Sequence, residues 1–253
     1  MISLPLAVSA VAVLITFLCA SWQDWKTRTV YTVTWYPAAV VGVICAVIFW
    51  AEHIRAPLGL FTLVLSLTLA GLMAVFALLG LFGKADAKAL ALLSIAVPVT
   101  PFASWIFPSL TVSSLINAGL VILVVPAVCL VRNLLQKNRA PFWLMCSGRP
   151  VAGAEVTKHF GFIAEDISCE GGEISRKFVP VSDTFSSLRR HSPKMTRILA
   201  ENPEKYAQEL GLYAGCGKVW VTIGLPFIIP LTVGYVFALA GFSVADIMIA
   251  LLW

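Results

Sequence analysis

Six stretches of the chain are apolar at nearly every position: residues 5–21, 33–50, 58–82, 87–107, 112–131 and 219–240. A helix crossing the hydrocarbon of a bilayer needs roughly 20 mostly apolar residues. The pattern therefore predicts six transmembrane helices. The tail, residues 242–253, is apolar but short, and reads as a continuation of the last helix or an interfacial cap. Pro98 and Pro101 fall inside the fourth stretch and should kink or interrupt it after its first three turns. Trp22, Trp25, Trp35 and Tyr36 lie near the ends of the first two stretches, where an interfacial aromatic belt is expected.

Between the fifth and sixth stretches lies the only polar segment, residues 133–217. Residues 160–164 and 177–181 predict short strands. Glu170-Gly171-Gly172 is a turn signal. Asn202-Pro203-Glu204 reads as a cap followed by proline at the first helical position, opening a helix to Leu210. The expected fold is an all-α integral membrane protein: six transmembrane helices with a small α+β cytoplasmic subdomain between helices 5 and 6. Its segments are 1–132 with the first five helices, 133–217 as the insert, and 218–253 with the sixth helix and the tail.

Composition agrees. Hydrophobic residues make up 59% of the 253 and charged residues 12%, with a mean hydropathy of +0.90. A soluble domain runs at about 45–50% and about 25%. Disorder, collagen, coiled coil and a small disulfide scaffold are excluded with the soluble class. Six cysteines are scattered without a CxxC pair, so neither a zinc site nor a disulfide framework is expected. No basic residue precedes the first apolar run, which reads as a retained span and not as a cleavable signal.

The net charge of +5 matters less than its distribution. Lys26 and Arg28 follow the first span, Lys84 and Lys88 flank the third-to-fourth turn, and thirteen more lie from Arg132 to Lys218. The opposite side holds Arg55. Basic residues concentrate on the cytoplasmic side, which places these loops inside and both termini outside.

Outside the insert the chain has four acids: Asp24, Glu52, Asp86 and Asp246. Glu52, beside His53 and Arg55, and Asp246, near the outer end of the tail, read as solvated. Asp24 and Asp86 stand at helix ends on the inferred cytoplasmic face, each with a lysine two residues on. Ionisable groups at membrane level are costly and point to function. Singly, Asp24 could balance Lys26 or Arg28, and Asp86 could favour a helix N-terminus. Together they form a pair that shares one proton, because two adjacent carboxylates resist ionising at once. The ionised member can take a proton from water while the protonated one polarises a peptide carbonyl. His53, His159 and His191 are isolated, and no metal or cofactor is expected. Arg132, Lys137 and Arg139 follow a span directly and suit anionic headgroups rather than nucleic acid.

The stretches around the two acids resemble the archaeal preflagellin and type IV prepilin peptidases, membrane aspartyl proteases of the GxGD type. Asp24-Trp25-Lys26-Thr27-Arg28-Thr29-Val30 is similar to the family's Asp-x-Lys-x-Arg-x-Val/Ile stretch, and Gly83-Lys84-Ala85-Asp86-Ala87-Lys88 to its Gly-x-Gly-Asp-x-Lys stretch. Lys218-Val219-Trp220-Val221-Thr222 through Pro226 also looks like archaeal members. The second glycine is Ala85 here, small but with less backbone freedom. The four-cysteine zinc segment and N-methyltransferase region of bacterial members are absent. The resemblance implies an aspartic-type endopeptidase that removes the basic leader from archaellin- or pilin-like precursors, with Asp24 and Asp86 catalytic. Gly83, Ala85, Lys26, Arg28 and Lys88 are then positioning or topology residues. The acidic run Glu165, Asp166, Glu170 and Glu173 is a candidate attractor for that leader. A proton- or cation-coupled transporter using the same two aspartates is the alternative. Transporter sites lie near the bilayer midplane on broken helices or repeats, whereas these acids lie at helix ends and no repeat is visible. A protease for other membrane substrates is a third reading.

Overall fold

The computed structural model describes residues 3–55, 59–79, 83–101, 109–170, 173–179, 195–224 and 226–252. The chain divides into two compact units, Met1–Ile122 with Pro226–Trp253, and Leu123–Leu225.

The first unit is helical. Helix α1 (Leu4–Thr27) packs against α2 (Tyr36–His53), α4 (Lys84–Ala96) and α9 (Ile228–Leu239). Helix α3 (Gly59–Leu78) packs against α2 and α4. On α1, Leu6, Ala10, Val13, Phe17 and Ala20 recur every three or four residues and are fully buried, while Val8, Val11, Ile15 and Leu18 on the other faces are about half exposed or more. That spacing puts one face of a helix inward. The outward face is as apolar as the inward one, which suits lipid and not water. Small residues permit close helix approach. A Cβ on Gly42 of α2 would lie 2.4 Å from the Ala96 Cβ of α4. The same contact is tied by the Ser9 hydroxyl, which donates to the Ala96 carbonyl at 2.7 Å.

Among the described residues, four segments are long and apolar enough to cross a membrane: Leu4–Thr27, Thr32–His53, Leu60–Leu78 and Leu110–Leu135. The last is α5. The fourth and sixth expected spans differ. Helix α4 has 13 residues and ends at Ala96. Val97 leaves helical geometry (φ −136°, ψ 70°), as a residue preceding a proline tends to. Residues 102–107 of the expected fourth span lie outside the described ones. Residues 218–222, expected to enter the sixth span, form a strand instead, and the helix that follows, α9, has 12 residues. The run Val219-Trp220-Val221, two β-branched residues around an aromatic one, explains this, being suited to a paired half-buried ladder. The tail forms a separate helix, α10 (Val244–Leu252), after Gly241 at φ 89°.

Trp35 also departs from expectation. It is 5% exposed and packs edge-on to Phe17, with centroids 6.4 Å apart, and is no interfacial anchor. Trp22, Trp25 and Tyr36 are exposed.

The second unit contains the end of α5, helix α6 (Phe142–Ser147), strand β1 (Gly148–Ala152), a 3-10 turn at Gly153–Lys158, strands β2 (Glu165–Glu170) and β3 (Glu173–Phe178), helices α7 (Thr196–Glu201) and α8 (Ala207–Gly215), and strand β4 (Lys218–Thr222). Strands β1 and β4 pair antiparallel, Gly148 opposite Thr222; β2 and β3 pair antiparallel, Glu165 opposite Phe178. Residues 160–164 contribute two isolated bridges, Phe162 to Met195 and Ile163 to Val221, rather than a full strand. The strand expected at 177–181 starts earlier and ends at Phe178. Gly171 and Gly172, the expected turn, and residues 180–181 lie outside the described residues. Asn202 ends α7 instead of opening a helix, and α8 begins only at Ala207. Pro203 has no N–H to continue α7. Val151, Val156, Ile163, Leu199, Tyr213, Val219 and Val221 form this unit's core.

Candidate active site

Asp24 lies one turn from the end of α1, and Asp86 in the first turn of α4. The two helices pack together. Both carboxyl-bearing residues are half-buried, and Asp24 is close enough for its charge to act on Asp86. Asp86 precedes the apolar run that begins at Ala87. Burial first, and the charge of Asp24 second, push the Asp86 carboxyl from its ordinary 3.8 up to about 6. A helix N-terminus favours an anion, so burial outweighs that help here. Arg28 is the cation acting on Asp24.

Gly83 caps α4 with φ −58°, a value open to any residue. What a side chain would meet here is Asp86 itself: a Cβ at 83 would lie 2.6 Å from the Asp86 Oδ2, so the carboxyl would have to move. Ala85 is helical and packs its methyl against the core of the first unit, so this site uses no positive φ at the position where the family stretch has its second glycine.

The loop between α1 and α2 is held from both helices that carry the acids. The Gln23 Oε1 accepts from the Tyr31 N–H at 3.1 Å and from the Thr34 hydroxyl at 3.0 Å. The Lys88 Nζ donates to the Thr32 hydroxyl at 3.1 Å. Arg28 turns the chain out of α1 in the left-handed region, φ 55°, with its N–H donating to the Asp24 carbonyl. A loop clamped at 31, 32 and 34 fixes the neighbourhood of Asp24 relative to that of Asp86.

The residues named from sequence thus separate. Asp24, Asp86, Arg28 and Gly83 come together. Lys26 turns away, its Nζ 4.4 Å over the exposed Trp22 ring, and Lys88 serves the loop. Gln23 and Thr32 were missed by sequence reasoning; the signal was a polar Gln23 directly beside Asp24 at the end of an apolar helix. The proposed acidic attractor is corrected at Glu165. That side chain is 2% exposed and accepts from Arg176 and from the Trp220 N–H, so it faces no peptide. The side chains of Glu170 and Glu173 lie outside those described.

Residues 11–127 match the sequence model of the type IV leader peptidase family, and residues 140–241 match that of the archaeal peptidase A24 C-terminus, type II. The comparison with curated proteins found no match. With both halves matched and with helices fit to cross a bilayer, the chain belongs to the type IV leader peptidase family, as a multi-pass membrane protease of the archaeal preflagellin and prepilin peptidase class.

Proposed function

We propose that Asp24 and Asp86 are the catalytic pair of an aspartic endopeptidase that cuts the basic leader from archaellin- or pilin-like precursors. The observation that carries this is the pairing itself: two carboxyls on packed helices, near enough for the charge of one to act on the other. One ionised member takes a proton from water as the oxygen attacks the scissile carbonyl carbon, and the protonated member gives its proton to the carbonyl oxygen. Return of a proton to the amide nitrogen then breaks the C–N bond. The pair shares its proton, so base and acid are roles of the pair. The concentration of lysine and arginine in loops on the same side supports a cytoplasmic placement of the pair and outward termini. A precursor helix lying in the bilayer would bring its leader junction to that boundary.

The test is cleavage of a prepilin-like substrate in membranes. Asp24→Asn and Asp86→Asn are each expected to lose activity by about 10²–10⁴-fold, the usual scale of a positioned acid or base. Full cleavage by either variant would overturn the pair. Ion flux abolished by both substitutions in a chain that never cleaves would identify a transporter.

A further inference from the structure

Among the described residues, neither the Asp24 nor the Asp86 carboxyl accepts a hydrogen bond. The spacing of the pair therefore rests on where the end of α1 and the start of α4 are held. A 3-10 turn, Thr32–Trp35, packs against both helices. Trp35 seats it, buried and edge-on to the Phe17 ring of α1. Two side chains then tie this turn down, one from beside each acid.

Gln23 precedes Asp24 by one residue. Its Oε1 accepts from the Tyr31 N–H at 3.1 Å and from the Thr34 hydroxyl at 3.0 Å. Two donors converging on one atom can only meet the oxygen of the amide, which fixes the direction of the side chain. Successive residues leave a helix about 100° apart, so Gln23 grips the turn from a different side of α1 than the one Asp24 occupies. Lys88, two residues after Asp86, donates from Nζ to the Thr32 hydroxyl at 3.1 Å. The contacts run in series: α1, Gln23, the turn, Thr32, Lys88, α4. The two ends of that series are the backbones that carry the acids. These bonds are exposed or only partly buried, so water replaces them at small cost to stability. What they specify is position.

We infer that Gln23 is a positioning residue for cleavage, acting through the Thr32–Trp35 turn and the Lys88 tie to hold the two acid-bearing helix ends at their working separation. This rests on the reading of Asp24 and Asp86 as the catalytic pair.

The experiment uses the full chain in detergent and a prepilin-like substrate, and measures kcat, KM and their pH profiles. Gln23→Met keeps the length of the side chain and removes the acceptor. It is expected to lower kcat about tenfold, the scale of a misplacement under 1 Å, with KM and the melting curve close to wild type. The pH profile should move as well. The charge of Asp24 helps raise the Asp86 carboxyl to about 6, and it acts more weakly from further away, so the decline in cleavage should begin at lower pH. The other charged groups at these helix ends, Lys26 and Arg28 on α1 and Lys84 and Lys88 on α4, are unchanged in this variant, and the turn carries none. Thr34→Val should lose part of the rate and Thr34→Ser should restore it. Because the ties act in series, Gln23→Met/Thr32→Val should be no slower than the worse of its two single variants. Gln208→Met, on the exposed surface of α8, should match wild type. A Gln23→Met enzyme with wild-type kcat, a loss confined to KM or to melting temperature, an unmoved pH profile, or losses that multiply in the double variant would each overturn the role of Gln23. Failure of the pair itself reads differently: cleavage then survives in Asp24→Asn or Asp86→Asn, whatever Gln23 does.

Discussion

A single missing Cβ governs the approach to Asp86. Replacing Gly83 by alanine places a methyl 2.6 Å from the Asp86 Oδ2 and forces the carboxyl aside. A misplacement near 1 Å in a reacting group can cost about a hundredfold. Gly83→Ala is therefore expected to lower single-turnover cleavage by about 10–100-fold with an unchanged melting curve; wild-type turnover would refute it. Asp86 also sets a pH dependence. Its carboxyl titrates near 6 in the folded chain against an ordinary 3.8, so the folded chain binds more protons than the unfolded one between those values. Stability from this group then falls as pH rises from about 4 to about 6 and is level beyond. The protonated member of the pair is lost over the same upper range, so cleavage should decline above about 6. Melting temperatures across pH 4–7 should show this slope in wild type and lose it in Asp86→Asn.

At the level of elements, buried side-chain hydrogen bonds do what the apolar faces leave undone. In the first unit Asn117 of α5, 2% exposed, donates to the Phe242 carbonyl at 2.8 Å and the Gly234 carbonyl at 3.3 Å, and accepts from the Val244 N–H at 3.3 Å. It closes the corner between α9 and α10, where Gly241 turns the chain. Apolar surface is buried equally well by lipid, so helix position in a membrane depends on such polar contacts and on close packing. Asn117→Leu keeps the volume but takes away the side-chain partner of the Phe242 carbonyl and the Val244 N–H. Thermal unfolding in detergent should show a loss of about 1–3 kcal/mol, and an unchanged midpoint would refute this.

For the molecule as a whole, the orientation of the pair in the bilayer is the decisive property. In a cysteine-free background, single cysteines at Arg28 and Lys88 should be labelled by an impermeant maleimide only from the cytoplasmic side, and one at Arg55 only from the other. Labelling of positions 28 and 88 from opposite sides would separate the two aspartates and end the proposal. What composition and the run of apolar residues determined alone was the membrane class, the helical character, four of the crossing segments and the choice of the two acids as candidates. Those are local properties, set by one-dimensional length, hydropathy and charge. Where local preference met a partner elsewhere in the chain, only tertiary structure decided. Val219-Trp220-Val221 is as apolar as a span, yet becomes a strand because β1 is there to pair with it. Glu165 reads as part of an acidic attractor for a basic leader, yet is buried because Arg176 and the Trp220 N–H meet it across the fold. Trp35 reads as an interfacial ring, yet packs inside against Phe17. Gly83 stood in a recognisable stretch, but the space it leaves for Asp86 emerges only once the first turn of α4 has folded. Each of these outcomes was set by a neighbour distant in sequence or by a folded turn, which hydropathy along the chain does not encode.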